Sequence, residues 1–479
     1  MAPSGEGNGT PSSGIQAPGF SGRVVVALSG GGVRAAFFGI GVLLYLVRSG
    51  ANKSVSQLIS VSGGSVPNAA LAISGDFSQM SEEEFSRPMS ELASKLSRNG
   101  TFFIAPKAKL LVLVWTMPIV GIVTILAENV VANLFPNVPG VEAHDGNLGQ
   151  IALDGLSTAF VGGAVAFLIL VVFRARLQRR GFARLLENVA SEAPTALSGL
   201  PVCNVRHVLC ATDLESGQPF YFMRDRIFSS WLGQAPTPES VKLADALYAS
   251  SAFPVVFPPL KFKTRDVVFT GGASGKQRPQ VLRLADGGVY NNLGHDFPEL
   301  WLSELRMSPP EGFSAPLDTV EPQMLIVNGS SPPKPKTRIF SKYLRTFIVM
   351  YENTVQPRLR LLRESTSNGP RPIIVDVDMT PDDAVAESRS MLGDDPAGRK
   401  RAEDVDSALK EFASGFWMRI AQQSTSTKTT LSAIGHDRAA LLMQHGYYSA
   451  MAALHIRFGF RLEPLPERFF QTFAGLPRD

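Results

Sequence analysis

Residues 23–48 read Arg23-Val-Val-Val-Ala-Leu28, then Ser29-Gly-Gly-Gly-Val-Arg34, then Ala35-Ala-Phe-Phe-Gly-Ile-Gly-Val-Leu-Leu-Tyr-Leu-Val-Arg48. The first segment is a short β-branched run, as a parallel strand buried on both faces requires. The third carries a long apolar face and predicts a helix. A second strand-like run, Gln57-Leu-Ile-Ser-Val61, follows. Strand, helix, strand is a βαβ unit, and its right-handed crossover sets the two strands side by side with their carboxyl ends at one sheet edge. Open α/β sheets hold their sites at that edge. The fold class expected is therefore α/β with a mainly parallel central sheet.

Gly30, Gly31 and Gly32 fall at the first strand-to-helix turn. Backbone N–H groups are unpaired at a helix start, and absent Cβ atoms permit close approach, so such a turn suits an oxyanion or a phosphate. The stretch matches neither GxxxxGK[ST] nor GxGxxG. Read alone, a triple glycine is more commonly just a tight turn.

The second strand ends in Leu58-Ile-Ser-Val-Ser-Gly-Gly-Ser-Val-Pro67, with three serines. A nucleophile elbow has the form G-x-S-x-G, with small residues on both sides of a sharp turn. Centred on Ser60 the frame has bulk and no glycine. Ser65 belongs to the helix start, where Pro67 suits a first turn. Ser62 directly follows the strand, with Gly64 behind it and Ser60 replacing the first glycine. It is the best candidate nucleophile, and an N-cap serine is the bland alternative.

A second polar site is Leu284-Ala-Asp-Gly-Gly-Val-Tyr-Asn-Asn-Leu293, where Asp286 ends an apolar run before Gly287 and Gly288. In isolation Asp-Gly-Gly is more commonly a hairpin or Asx turn. If the fold brings the two together, Asp286 is placed to accept the serine proton. The six histidines, His144, His207, His295, His436, His445 and His455, do not occupy positions resembling a triad turn. A Ser-Asp dyad is the simpler expectation, with no metal or cofactor.

Composition narrows the class. The chain has 479 residues, a net charge of +4 and two cysteines, with a mean hydropathy of +0.08 and a pI near 9.0. The charge is small for the length, and with no zinc-finger spacing or aromatic-basic stripe it sets nucleic-acid binding aside. Cys203 and Cys210 are too few for a disulfide framework and read as buried small residues in a reducing compartment. Residues 1–20 are rich in Gly, Pro and Ser and predict a disordered tail without the basic start of a secretory signal.

Two segments account for the hydropathy. Residues 110–126 and 156–173 carry no charge, and each approaches the length needed to cross a bilayer core. Lys107 and Lys109 precede the first; Arg174, Arg176, Arg179, Arg180 and Arg184 follow the second; the connecting loop carries Glu128, Glu142, Asp145 and Asp154. This positive-inside asymmetry predicts a transmembrane hairpin over 101–180 with both outer ends cytosolic. A buried helical pair or an interfacial hairpin is the alternative. The catalytic α/β body is then expected over 21–100 and 181–479, on the cytosolic side, with membrane lipids as anchor and substrate.

Gly30-Gly-Gly-Val-Arg34, the Ser62 elbow and Asp286-Gly-Gly288, in that order, resemble the patatin-like phospholipases. Ala211-Thr-Asp-Leu-Glu-Ser-Gly217 and Ala249-Ser-Ser-Ala-Phe-Pro-Val-Val-Phe-Pro-Pro259 extend the likeness, as does Gly446–Leu454 to a lesser degree. The resemblance implies a three-layer α/β fold interrupted by the hairpin, and metal-free hydrolysis of lipid acyl esters. It makes Ser62 the nucleophile, Asp286 the base and Gly30–Gly32 the oxyanion hole, with Ser60, Gly64, Gly287 and Gly288 supporting the turns. Arg34 matches a basic residue that often follows the glycines, either as a substrate-phosphate contact or as a solvated helix-start residue. Ser60 for the first elbow glycine and Ala35 after Arg34 depart from the pattern without removing a reacting group. Lysophospholipase, thioesterase or acyltransferase chemistry would use the same dyad, and a lipid-binding scaffold would use the fold without it.

Overall fold

The computed structural model describes residues 22–101, 172–187, 189–190, 196–254, 256–272, 279–309, 322–331, 342–364, 371–393 and 395–475. The expected tail, span 110–126, and all of span 156–173 except Val172 and Phe173 lie outside the described residues. Among the described residues no helix is long and apolar enough to cross a membrane.

In chain order the elements begin with β1 (Val24–Leu28), α1 (Gly32–Arg48), β2 (Val55–Val61), α2 (Ser65–Ser74) and α3 (Glu82–Asn99). A helix over 172–187, α4, leads to β3 (Arg206–Asp213), β4 (Pro219–Phe222), β5 (Arg226–Ser229) and β6 (Gly233–Pro236). Then come α5 (Leu243–Ser250), β7 (Leu260–Lys263), β8 (Val281–Asp286), the short α6 (Gly288–Asn291), α7 (Phe297–Met307) and β9 (Gln323–Asn328). The rest is α8 (Lys342–Glu364), β10 (Ile373–Asp376), α9 (Pro381–Met391), α10 (Pro396–Leu409), α11 (Phe416–Ser426), α12 (His436–Phe458) and α13 (Glu467–Phe473).

One sheet runs β10-β9-β1-β2-β3-β4-β5-β6, with β8 paired to β3 and β7 to β8. From β10 to β3 every pairing is parallel. Beyond β3 every pairing is antiparallel. The sheet is thus mixed and largely parallel, and its parallel part is the one the βαβ start predicts. The antiparallel flank has a simple cause: the links between β3, β4, β5 and β6 are too short for a crossover, which needs a dozen residues or more.

β1 is buried along its whole length, and its residues alternate between two cores. Val24, Val26 and Leu28 pack with α1, α2 and α12. Val25 and Ala27 face the opposite side, with Phe297 and Trp301 of α7. Helices on both faces make three layers, and each such apolar side chain contributes roughly 1.5–3 kcal/mol. The largest helix contact, α1 with α12, depends on glycine. A Cβ at Gly41 would strike the Met443 carbonyl, and one at Gly446 the Phe38 carbonyl. Backbones this close leave no room for a side chain.

Candidate active site

The carboxyl ends of the parallel strands carry the polar residues. After Val61 the chain turns through Ser62-Gly-Gly64 into α2. Ser62 has φ of +50°, and it is the one non-glycine residue with positive φ among the described residues. That conformation is strained for an L-residue by about 1–3 kcal/mol, and strain of this kind points to function. The turn leaves glycine as the sole choice beside it. A Cβ on Gly63 would meet the Gly32 carbonyl, and one on Gly64 would lie 2.7 Å from the carbonyls of Leu28 and Ser29. No side chain caps the helix start here, so Ser62 is not an N-cap.

Asp286 reaches the same place by register. β2 runs along one edge of β3 until Val61 stands opposite Cys210. β8 comes down that edge from the other end and stops with Asp286 opposite Ala211. The two strands meet end to end, and Ser62 and Asp286 leave them at adjoining positions. Asp286 is 1% exposed, and Gly288 N–H donates to its Oδ1 at 2.8 Å. Thr212 Oγ1 donates to the Asp286 carbonyl at 2.9 Å and accepts from Tyr290 N–H at 3.1 Å. Gly287 packs so tightly on Cys210 that a Cβ would strike its carbonyl.

Residues at the end of α5 and just beyond it bracket the two segments. Ser62 N–H donates to Ser250 Oγ at 3.1 Å. Asp286 N–H donates to the Ala252 carbonyl at 3.1 Å, and Gly287 N–H to the Ser250 carbonyl at 3.3 Å. Beneath the elbow, Ser65 Oγ lies 2.8 Å from Ser250 Oγ and donates to Ser60 Oγ at 3.0 Å. Asn68 Nδ2 donates to Ser60 Oγ at 2.7 Å. Ser60, fully buried, in turn donates to the Val208 carbonyl. It therefore ties the elbow to β3 as well as being small.

The glycine turn closes the site from β1. Gly31 and Gly32 have φ of +151° and +64°. Gly30 N–H donates to the Asn292 carbonyl at 3.0 Å, and Val33 N–H to the Thr430 carbonyl at 3.0 Å. Among the described residues neither Gly31 N–H nor Gly32 N–H has a hydrogen-bond acceptor. Of the three glycine amides of the turn, the Gly30 amide holds the loop after Asp286, which leaves two without an acceptor among the described residues.

Arg34 corrects the expectation of a substrate-phosphate contact. It is 3% exposed. Its Nε donates to the Gly329 carbonyl and its Nη1 to the Thr427 carbonyl, both at 2.8 Å. The guanidinium braces loops from two distant parts of the chain and is neither solvated nor turned to a ligand. Cys203 is also corrected: it is half-exposed, whereas Cys210 is buried.

The described histidines are engaged elsewhere. His207 Nδ1 pairs with Asn68 Oδ1 at 2.7 Å, and His445 lies between Ser424 Oγ and the Met379 carbonyl. Burial pushes both imidazoles down to about 4. His295 contacts Asp296 and Asn291, His436 contacts Ser97 and the Ala474 carbonyl, and His455 the Phe460 carbonyl. His144 lies outside the described residues.

A serine on a strained strand-to-helix turn, an aspartate at the adjoining strand end and a glycine turn are thus grouped. Residues 26–297, more than half of the chain, match the profile of the patatin-like phospholipases. The chain belongs to the patatin-like phospholipase family. That membership implies a lipid acyl hydrolase, and patatin-like proteins are typically serine enzymes. No curated protein sequence matches the chain. Among solved structures, VipD from Legionella pneumophila is similar at 12% identity over 94% of this chain and 90% of that one, with a TM-score of 0.26. At that score no residue is carried across. The patatin-like match ends at Phe297, so α8 to α13 are outside it, although α12 packs on α1 at the centre of the body.

Sequence reasoning missed Ser250, Thr212 and Asn68 as supports. Ser250 and Thr212 sit in the two intermediate stretches noted above, and their contacts give those stretches a physical role.

Proposed function

We propose that this patatin-like chain is a membrane-anchored serine hydrolase cleaving acyl esters of phospholipids or related lipids. The observation that carries the reading is the left-handed Ser62 at the end of β2, adjoining the end of β8 that bears Asp286. Ser62 Oγ attacks the ester carbonyl carbon, and its proton passes to the Asp286 carboxylate. The carbonyl electron pair moves onto oxygen, where Gly31 and Gly32 N–H groups meet the developing charge. Collapse expels the alcohol, which takes the proton back. Water, activated by Asp286, then attacks the acyl-serine and frees the fatty acid.

Anchoring follows from the two charge-free spans, with the catalytic body on the cytosolic face. α4, whose first residues Val172 and Phe173 end the second span in the sequence, supports the orientation. Val172 and Phe173 are 62% and 42% exposed, and Arg176, Arg180 and Arg184 form an exposed stripe along its length. Near an anionic leaflet each arginine adds about 1 kcal/mol. The other face is fixed to α5, with Arg179 Nη1 3.2 Å from Asp245 Oδ1 and its guanidinium over the Tyr248 ring. α5 ends in Ser250, so the membrane-proximal helix and the elbow share one support.

The full chain, reconstituted in vesicles of phosphatidylcholine and phosphatidylserine, is expected to release free fatty acid, and Ser62→Ala is not. Release equal in both overturns the catalytic reading. Alkaline carbonate is expected to leave the protein in the membrane pellet; recovery in the supernatant overturns the anchor.

A further inference from the structure

Asn292 presents two groups to the site. Its carbonyl accepts the Gly30 amide at 3.0 Å. Its side chain lies against Gly30 on the face that Ser62 also borders. A Cβ on Gly30 would strike Asn292 Oδ1 and lie 3.2 Å from its Cγ and 3.1 Å from Ser62 Cβ. The carboxamide and the candidate nucleophile therefore border the same side of Gly30.

Asn292 is 5% exposed, and among the described residues its side chain has no hydrogen-bond partner. Neither of its amide atoms is among the fully buried unpartnered ones, so the carboxamide stays open to a ligand or a water at the site. Its neighbour shows the ordinary case: Asn291 Oδ1 accepts Leu293 N–H at 3.0 Å, and its Nδ2 lies 3.2 Å from His295 Nδ1. With Oδ1 turned to Gly30, Nδ2 is the donor left to meet what enters beside Ser62.

We propose that Asn292 Nδ2 donates to the substrate carbonyl oxygen and to the oxyanion formed when Ser62 attacks it. The inference rests on the assignment of Ser62 as nucleophile. As the Ser62 Oγ–carbon bond forms, the π pair moves to oxygen and the hydroxyl proton to Asp286. Asn292 then acts with the Gly31 and Gly32 amides. Its main chain occupies the Gly30 amide, and its side chain supplies a donor in that amide's place.

Asn292→Ala keeps the carbonyl that holds Gly30 and removes the carboxamide. The full chain in detergent is assayed for kcat and KM on a p-nitrophenyl ester. It is also assayed for inhibition by a long-chain trifluoromethyl ketone, which forms an oxyanionic hemiketal on serine, and by the matching unreactive ether. Loss of one such donor lowers kcat by about 10²–10³-fold. The ketone is expected to weaken by a comparable factor, with ether affinity and melting temperature unchanged. A kcat within about three-fold of wild type, or equal weakening of ketone and ether, overturns the proposal. Asn292→Asp, of the same size, places an acceptor where a donor is needed and is expected to lose at least as much, which guards against a poorly folded alanine variant. Wild type that neither hydrolyses the ester nor binds the ketone refutes the hydrolase reading, and this inference with it. An active wild type matched by both variants refutes this inference alone.

Discussion

Gly30→Ala separates catalysis from folding at the glycine turn. Gly30 is not among the residues with positive φ, so alanine fits the backbone and the perturbation is confined to its methyl. That methyl meets Asn292 Oδ1, Asn292 Cγ at 3.2 Å and Ser62 Cβ at 3.1 Å, all of them side-chain atoms. The carboxamide must swing aside by roughly an ångström, and a misplacement of that size near reacting groups lowers the rate by on the order of 10²-fold. This corresponds to about 2.7 kcal/mol of barrier. At Gly32 the case differs: φ is +64°, and a Cβ would strike the Thr430 carbonyl, a backbone atom. Gly32→Ala is therefore expected to lower stability as well as activity. The assay is initial rate on a soluble ester, normalised by titration of reactive serine, beside thermal melting. Gly30→Ala with kcat within about three-fold of wild type, or melting as poorly as Gly32→Ala, refutes the reasoning.

Ser250→Ala removes the acceptor of Ser62 N–H and the partner of Ser65 Oγ; an expected loss of about 1–3 kcal/mol in denaturant unfolding, with reduced turnover, is the signature. Unchanged stability and turnover would mean that the bracket at the end of α5 does not hold the elbow. His207 and His445 are held neutral, with folded values near 4 against 6.5 for the free side chain. Their stability contribution is complete above pH 6.5 and is lost as pH falls from there through about 4, roughly 3 kcal/mol for each. The urea midpoint is expected to fall across that window, and less steeply in the His207→Gln, His445→Gln double variant; identical slopes would refute the assignment.

How far the chain announces this arrangement depends on sequence distance. β1, the glycine turn, α1 and β2 are adjacent in the chain, and a strand buried on both faces leaves a continuous apolar run. The same holds for β9 and β10, visible as Gln323–Val327 and Pro372–Val377. The antiparallel flank is less visible, because β4, β5 and β6 are four residues each and their pairing is set by turns. Within the site, Ser62 stands out by its place after a strand and before two glycines. Its adjacency to Asp286 depends on β3 receiving β2 and β8 along one edge, a register that no local pattern encodes. Arg34 shows the limit most clearly. As a basic residue after glycines it suggests an anion contact, yet its partners lie 295 and 393 residues further on. Asn292 is visible only as half of an amide pair; what distinguishes it from Asn291 is which of the two finds a protein partner.

The central claim is that Ser62 is a nucleophile served by Asp286. Labelling of the full chain with a fluorophosphonate probe tests it most directly, across wild type, Ser62→Ala and Asp286→Asn. Asp286→Asn keeps size and the Gly288 contact while removing the base. The expected result is stoichiometric labelling of wild type, none in Ser62→Ala, and labelling slowed by at least about 10²-fold in Asp286→Asn. Labelling that persists in Ser62→Ala, or proceeds at the wild-type rate in Asp286→Asn, contradicts the claim.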